Sequence, residues 1–116
     1  MMKAIVTEVG INAIGKEELV ILFDETATVA LREYSVIQEF VTTTEFELSE
    51  GGTIVFDEQI YSIQHVGRTA NHNLQAIGHV ALVFGETPET DAIVNGIYLS
   101  PYRVPEIRIG TKIKYQ

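Results

Sequence analysis

Eight short runs rich in β-branched and aromatic residues, at 4–9, 19–23, 35–41, 53–56, 59–66, 79–84, 92–99 and 111–115, constrain this chain more than any other feature. Gly51-Gly52, Gly67, Gly85 and Gly110 separate them, and Pro101 and Pro105 bracket a loop near the end. Strands of this length at this spacing belong to an all-β barrel or sandwich. A chain of 116 residues closes one hydrophobic core rather than two. The expected fold is therefore mainly β: a small barrel-like domain spanning residues 1–116, with one short helix at about residues 69–77.

That helix is read from Thr69-Ala70-Asn71-His72-Asn73-Leu74-Gln75-Ala76-Ile77. Ala70, Leu74 and Ile77 form one apolar stripe, Thr69 is a candidate N-cap and Gly78 a candidate left-handed stop. Two turns do not persist alone, so packing has to hold them. Among the strands, Asp57, Glu58 and Gln59 make a polar break of hairpin length. Period-2 alternation then sets Tyr61, Ile63 and His65 on the core face of the second strand, with Ser62 and Gln64 opposite. In the last run Thr111, Ile113 and Tyr115 alternate with Lys112, Lys114 and Gln116, giving one buried and one wet face. The two lysines read as guards of an exposed edge strand. Such an edge would let a second copy pair with it, as a homodimer.

Charge removes several classes of function. Lys and Arg total 8 against 16 Asp and Glu, a formal charge of −8, which repels phosphate backbones and anionic lipid. No nucleic-acid partner is expected. Direct membrane insertion is not expected either, because no apolar stretch reaches the roughly 18 residues of a span. The chain has no cysteine, so disulfides and thiolate metal sites are out of reach. Without a secretory h-region at the start, the expected location is the cytoplasm. No metal or other cofactor is expected: His65 and His79 lack Asp or Glu at ligand spacing. The glycines do not build a phosphate loop, a nucleophile elbow or a dinucleotide fingerprint.

Chemistry near neutral pH then falls to His65, His72 and His79. His72 lies on the polar side of the helix and reads as a solvated residue. His79 follows Gly78 where the helix gives way to a strand, a junction that holds a side chain at the rim of a barrel. His65 would meet His79 if their strands pair. The carboxylate pairs Glu17-Glu18, Asp24-Glu25 and Asp57-Glu58 fall in or beside turns, where solvated charge accounts for them.

Gly51-Gly52-Thr53-Ile54-Val55-Phe56, Tyr61-Ser62-Ile63-Gln64-His65-Val66-Gly67 and Asn73-Leu74-Gln75-Ala76-Ile77-Gly78-His79-Val80 leading into Ala81-Leu82-Val83-Phe84 resemble one family. It is the glucitol/sorbitol-specific IIA component of the bacterial phosphotransferase system. Asn-Leu followed by Gly-His-Val is the most specific part. The similarity extends through Gly10-Ile11-Asn12-Ala13-Ile14, Phe23-Asp24-Glu25-Thr26-Ala27 and Glu33-Tyr34-Ser35-Val36-Ile37, and more weakly through Gly110-Thr111-Lys112-Ile113-Lys114-Tyr115. The resemblance implies a cytoplasmic phosphocarrier with a β-barrel-like fold. Its partners would be the phosphohistidine carrier protein, as donor, and the IIB domain of a sugar permease, as acceptor.

The resemblance also places the family's phosphorylated histidine at the end of the strand reading Tyr34-Ser35-Val36-Ile37, and the residue there is Gln38. An amide imitates the hydrogen bonding of an imidazole, but its nitrogen lone pair is delocalised and is no nucleophile. His79 is then the candidate catalytic residue, with His65 behind it, and Gln38 and His65 are candidate substrate-binding residues. Two other readings stay open. One is a phosphorylation-incompetent relative that binds or regulates phosphotransferase proteins. The other is a barrel repurposed for a small ligand near Gln38, His65 and His79.

Overall fold

The structure, a computed structural model, describes residues 1–15, 17–42 and 46–116. Its strands are β1 (Met2–Val9), β2 (Leu19–Phe23), β3 (Val36–Phe40), β4 (Thr53–Phe56), β5 (Gln59–Val66), β6 (Val80–Val83), β7 (Gly96–Ser100) and β8 (Lys112–Tyr115). They close into a barrel in the order β1-β3-β2-β6-β7-β5-β4-β8. The β2–β3 and β6–β7 pairs are parallel and the others antiparallel. Two short helices, α1 (Val29–Arg32) and α2 (Ala70–Ile77), lie between strands in the chain.

The interior of an eight-stranded barrel is just wide enough for side chains to fill. Alternate residues fill it here: Ala4 and Val6 from β1, Val20 and Leu22 from β2, Ile54 and Phe56 from β4, Val80 and Leu82 from β6, Ile113 and Tyr115 from β8. Phe56 and Phe84 each meet the Tyr61 ring edge to face, with centroids 5.6 and 5.1 Å away. This leaves a packed core rather than a ligand chamber. The β4–β5 hairpin forms as expected, with Phe56 opposite Gln59. Asp57, at φ 57°, supplies the left-handed residue that a two-residue turn needs.

Closure corrects the edge reading of 111–115. β8 pairs with β1 on one side and β4 on the other, so it has no free edge for a second copy. Lys112 and Lys114 do face outward, with Lys114 directly opposite Lys3. The run at 92–99 also shifts, its strand being Gly96–Ser100. The Val94 carbonyl accepts the N–H and Oγ1–H of Thr69, at 3.0 and 3.1 Å, instead of joining a ladder. For the same reason Thr69 does not cap α2 with its side chain.

Packing and side-chain amides hold α2. Ala70 and Leu74 are buried, while Ile77, expected on the same stripe, is at the surface. Asn71 grips the Leu48 backbone at both ends of its amide (2.7 and 2.9 Å), and Gln75 reaches the Phe46 carbonyl at 2.8 Å. The turn α1 was not legible in the periodicity. Thr28 caps it, and Arg32 ties it down, bonding the Ala27 and Glu25 carbonyls and pairing with Glu8 at 3.2 Å. Among the described residues no helix is long and apolar enough to cross a membrane.

Candidate functional site

The site grows from the end of α2. Gly78 stops the helix in the left-handed conformation, at φ 61°, with its N–H on the Asn73 and Leu74 carbonyls. A Cβ at this position would lie 2.9 Å from Cβ of Asp24, so space as well as φ demands glycine. The next N–H, that of His79, returns to the Asn73 carbonyl at 3.2 Å. His79 therefore leaves the helix in a fixed direction, one residue before β6.

Its half-buried ring stacks on Phe23, with centroids 3.9 Å apart and planes inclined by 20°. Nδ1 sits 3.1 Å from the Leu22 carbonyl. A carbonyl only accepts, so Nδ1 carries the proton and, in the neutral ring, Nε2 keeps its lone pair. No described residue bonds Nε2, yet it is not sealed in: the one enclosed, unpartnered side-chain N or O among the described residues is Thr87 Oγ1. The arrangement presents an oriented imidazole nitrogen to solvent.

Behind it lies Gln38, fully buried. Its position on β3 is opposite Val6, beside a bulge in β1 where the register shifts between Val6 and Glu8. The amide donates from Nε2 to the Gly78 carbonyl at 3.0 Å and accepts at Oε1 from the Tyr115 hydroxyl at 2.5 Å. Both partners sit across the barrel interior, one beyond β2 and the other beyond β1. Burial pushes the Tyr115 phenol far above its ordinary range, and the bond to Gln38 acts weakly the other way.

The structure thus brings Gln38 and His79 together through one peptide group and leaves His65 apart. β5 and β6 do not pair; β7 lies between them. A bulge between Ile63 and His65 breaks the β5 alternation, so His65 turns off the core face where it was expected. It lies against Tyr98 at 5.8 Å, with Nδ1 3.8 Å from a Glu50 carboxylate oxygen. His72 is exposed, as expected. Two carboxylates expected in turns are taken up by hydrogen bonds: Asp24 accepts from the Thr26 N–H and hydroxyl two residues on, and Asp57 from the Lys112 N–H at the start of β8. Sequence reasoning missed Tyr115, Leu22 and Phe23 as neighbours of the site. Only the Phe23-Asp24-Glu25 stretch of the resemblance hinted at one of them.

Comparisons with known proteins point to IIA components of the phosphotransferase system. The sequence profile of the PTS system glucitol/sorbitol-specific IIA component matches residues 1–114. A crystal structure of a PTS system IIA component from Enterococcus faecalis V583 superposes with a TM-score of 0.95. It is 44% identical, over 98% of each chain. Among curated proteins no match was found.

Proposed function

Because the chain belongs to the glucitol/sorbitol-specific IIA family of the phosphotransferase system, we propose that it relays a phosphoryl group through Nε2 of His79. The donor is the phosphohistidine carrier protein and the acceptor the IIB domain of a sugar permease. The observation that carries this reading is the 3.1 Å contact of Nδ1 with the Leu22 carbonyl, which leaves Nε2 as the nucleophile.

In the first step the Nε2 lone pair forms a bond to phosphorus while the donor's N–P bond breaks, its electron pair returning to the donor's ring. With the donor's ring protonated on its other nitrogen it leaves as a neutral imidazole, and no proton has to move. The His79 ring, already carrying hydrogen on Nδ1, becomes a phosphorylated imidazolium. Its new positive charge strengthens the Nδ1–H bond to Leu22 and is favoured by the face of Phe23. The same bonds hold the ring for the second transfer, in which the N–P bond of His79 breaks toward the IIB nucleophile. Positioning and charge stabilisation supply most of the catalysis in such transfers.

Gln38 does not compete for this role. Its amide nitrogen is no nucleophile, and the side chain is enclosed. That same observation favours one second reading, a relative that binds phosphotransferase proteins without carrying phosphate. The two are separated by incubating the protein with phosphoenolpyruvate, Enzyme I and the phosphohistidine carrier protein, then measuring intact mass. An acid-labile gain of one phosphoryl group that disappears in His79→Ala is the expected result. No gain in the wild type would overturn the relay and leave the binding role.

A further inference from the structure

Burying an amide is costly unless both of its ends are bonded, and an apolar side chain would fill the space at position 38 without that cost. The Gln38 amide is bonded at both ends, and what it grips is specific. The Gly78 carbonyl at 3.0 Å belongs to the same peptide group as the His79 N–H, which donates to Asn73 at 3.2 Å. That peptide is therefore held at its oxygen from inside the barrel and at its nitrogen by the end of α2. Rotating it would swing the Cα–Cβ bond of His79 and carry Nδ1 off the Leu22 carbonyl. The Tyr115 hydroxyl fixes the other end of the amide and forbids the flip that would turn an oxygen toward Gly78.

From this geometry we infer that Gln38 is a positioning residue for His79, acting through the Gly78 peptide to keep the ring in one tautomer and one orientation. It takes no phosphate itself. The inference rests on the relay reading for its chemical consequence, but the clamp is measurable without it.

The test uses Gln38→Met, close in volume and without donor or acceptor, beside Ile54→Ala, a core variant on β4 as a comparator for lost stability. His79 is observed by long-range nitrogen–proton correlation in the unphosphorylated protein, and transfer by the rate of the mass gain. In the wild type His79 is expected to show the Nδ1–H tautomer alone. Gln38→Met is expected to show both tautomers and to slow transfer by on the order of 10- to 100-fold, the scale of a misplacement near 1 Å. Ile54→Ala is expected to keep the wild-type tautomer and rate. Gln38→His, which retains a donor and an acceptor, is expected to restore the single tautomer.

A wild-type tautomer and rate in Gln38→Met would overturn the inference. Should Gln38→Met not fold, Gln38→Leu, equally without donor or acceptor, is read in the same way. If the wild type takes no phosphate, the relay reading fails, while the tautomer comparison still decides whether Gln38 holds His79.

Discussion

Replacing Tyr115 by phenylalanine removes one hydroxyl from the interior and leaves the ring in place. The hydroxyl's partner, Oε1 of Gln38, sits in a fully buried side chain and has no other donor among the described residues. An enclosed acceptor left without a partner costs about 1–3 kcal/mol. Unfolding entropy near about 2.1 cal/mol/K per residue, over 116 residues, amounts to about 0.24 kcal/mol/K, so Tyr115→Phe lowers Tm by about 4–12 °C.

The alkaline limb gives a second, independent signature. The native barrel keeps the Tyr115 phenol protonated far above its ordinary range, whereas the unfolded chain releases that proton at about pH 10. The folded pKa is the higher one, so this contribution is fully present below about pH 10 and is lost as pH rises toward the folded value, by about 1.4 kcal/mol per pH unit. Tyr61, also raised by burial, remains in the variant and contributes alike to both proteins. Urea unfolding followed by circular dichroism at about pH 7.5, 10 and 11 measures both effects. Equal stability at neutral pH together with equal alkaline slopes would refute the account of the Gln38–Tyr115 bond.

Gly78→Ala forces a Cβ into the left-handed region and against Asp24; it is expected to cost more than about 1–2 kcal/mol in urea unfolding and to reduce the phosphoryl gain by intact mass. His65→Ala removes a 3.8 Å approach to an exposed carboxylate and an edge contact with the Tyr98 ring. Stability should fall by about 0.5–1.5 kcal/mol, and phosphoryl uptake should match the wild type. A fall in uptake would bring His65 into the site.

Local chemistry carried much of the fold into the sequence. The hairpin at Asp57-Glu58, the α2 stop at Gly78 and the alternation of Ile113 and Tyr115 with lysines each follow from a few neighbouring residues, and each is present. What escaped depends on partners distant in the chain. Barrel closure needs β8 to find β1, and nothing in the last run distinguishes an edge from a seam. The bulge that turns His65 off the core is a mismatch of count between β5 and β7, and α1 hangs on Arg32 reaching separate carbonyls. The site divides the same way. His79 was legible because the Gly-His junction marks it, but the Gln38–Tyr115 bond joins residues 77 apart, and Leu22 acts through a backbone carbonyl that no side-chain pattern announces.

The β1–β8 seam, with Met2 opposite Tyr115, makes the first and last strands neighbours. Until residues 112–115 leave the ribosome, β1 and β4 each lack a partner and their edges stay open to other chains. The β4–β5 hairpin is the unit whose contacts are local enough to form early, while the ring shuts last across nearly the full length of the chain, which makes slow folding the expectation. The same adjacency permits a circular permutant: a short linker joining the ends, with new termini opened in the exposed segment 88–91, would preserve the order of strands around the ring while changing which strand closes it.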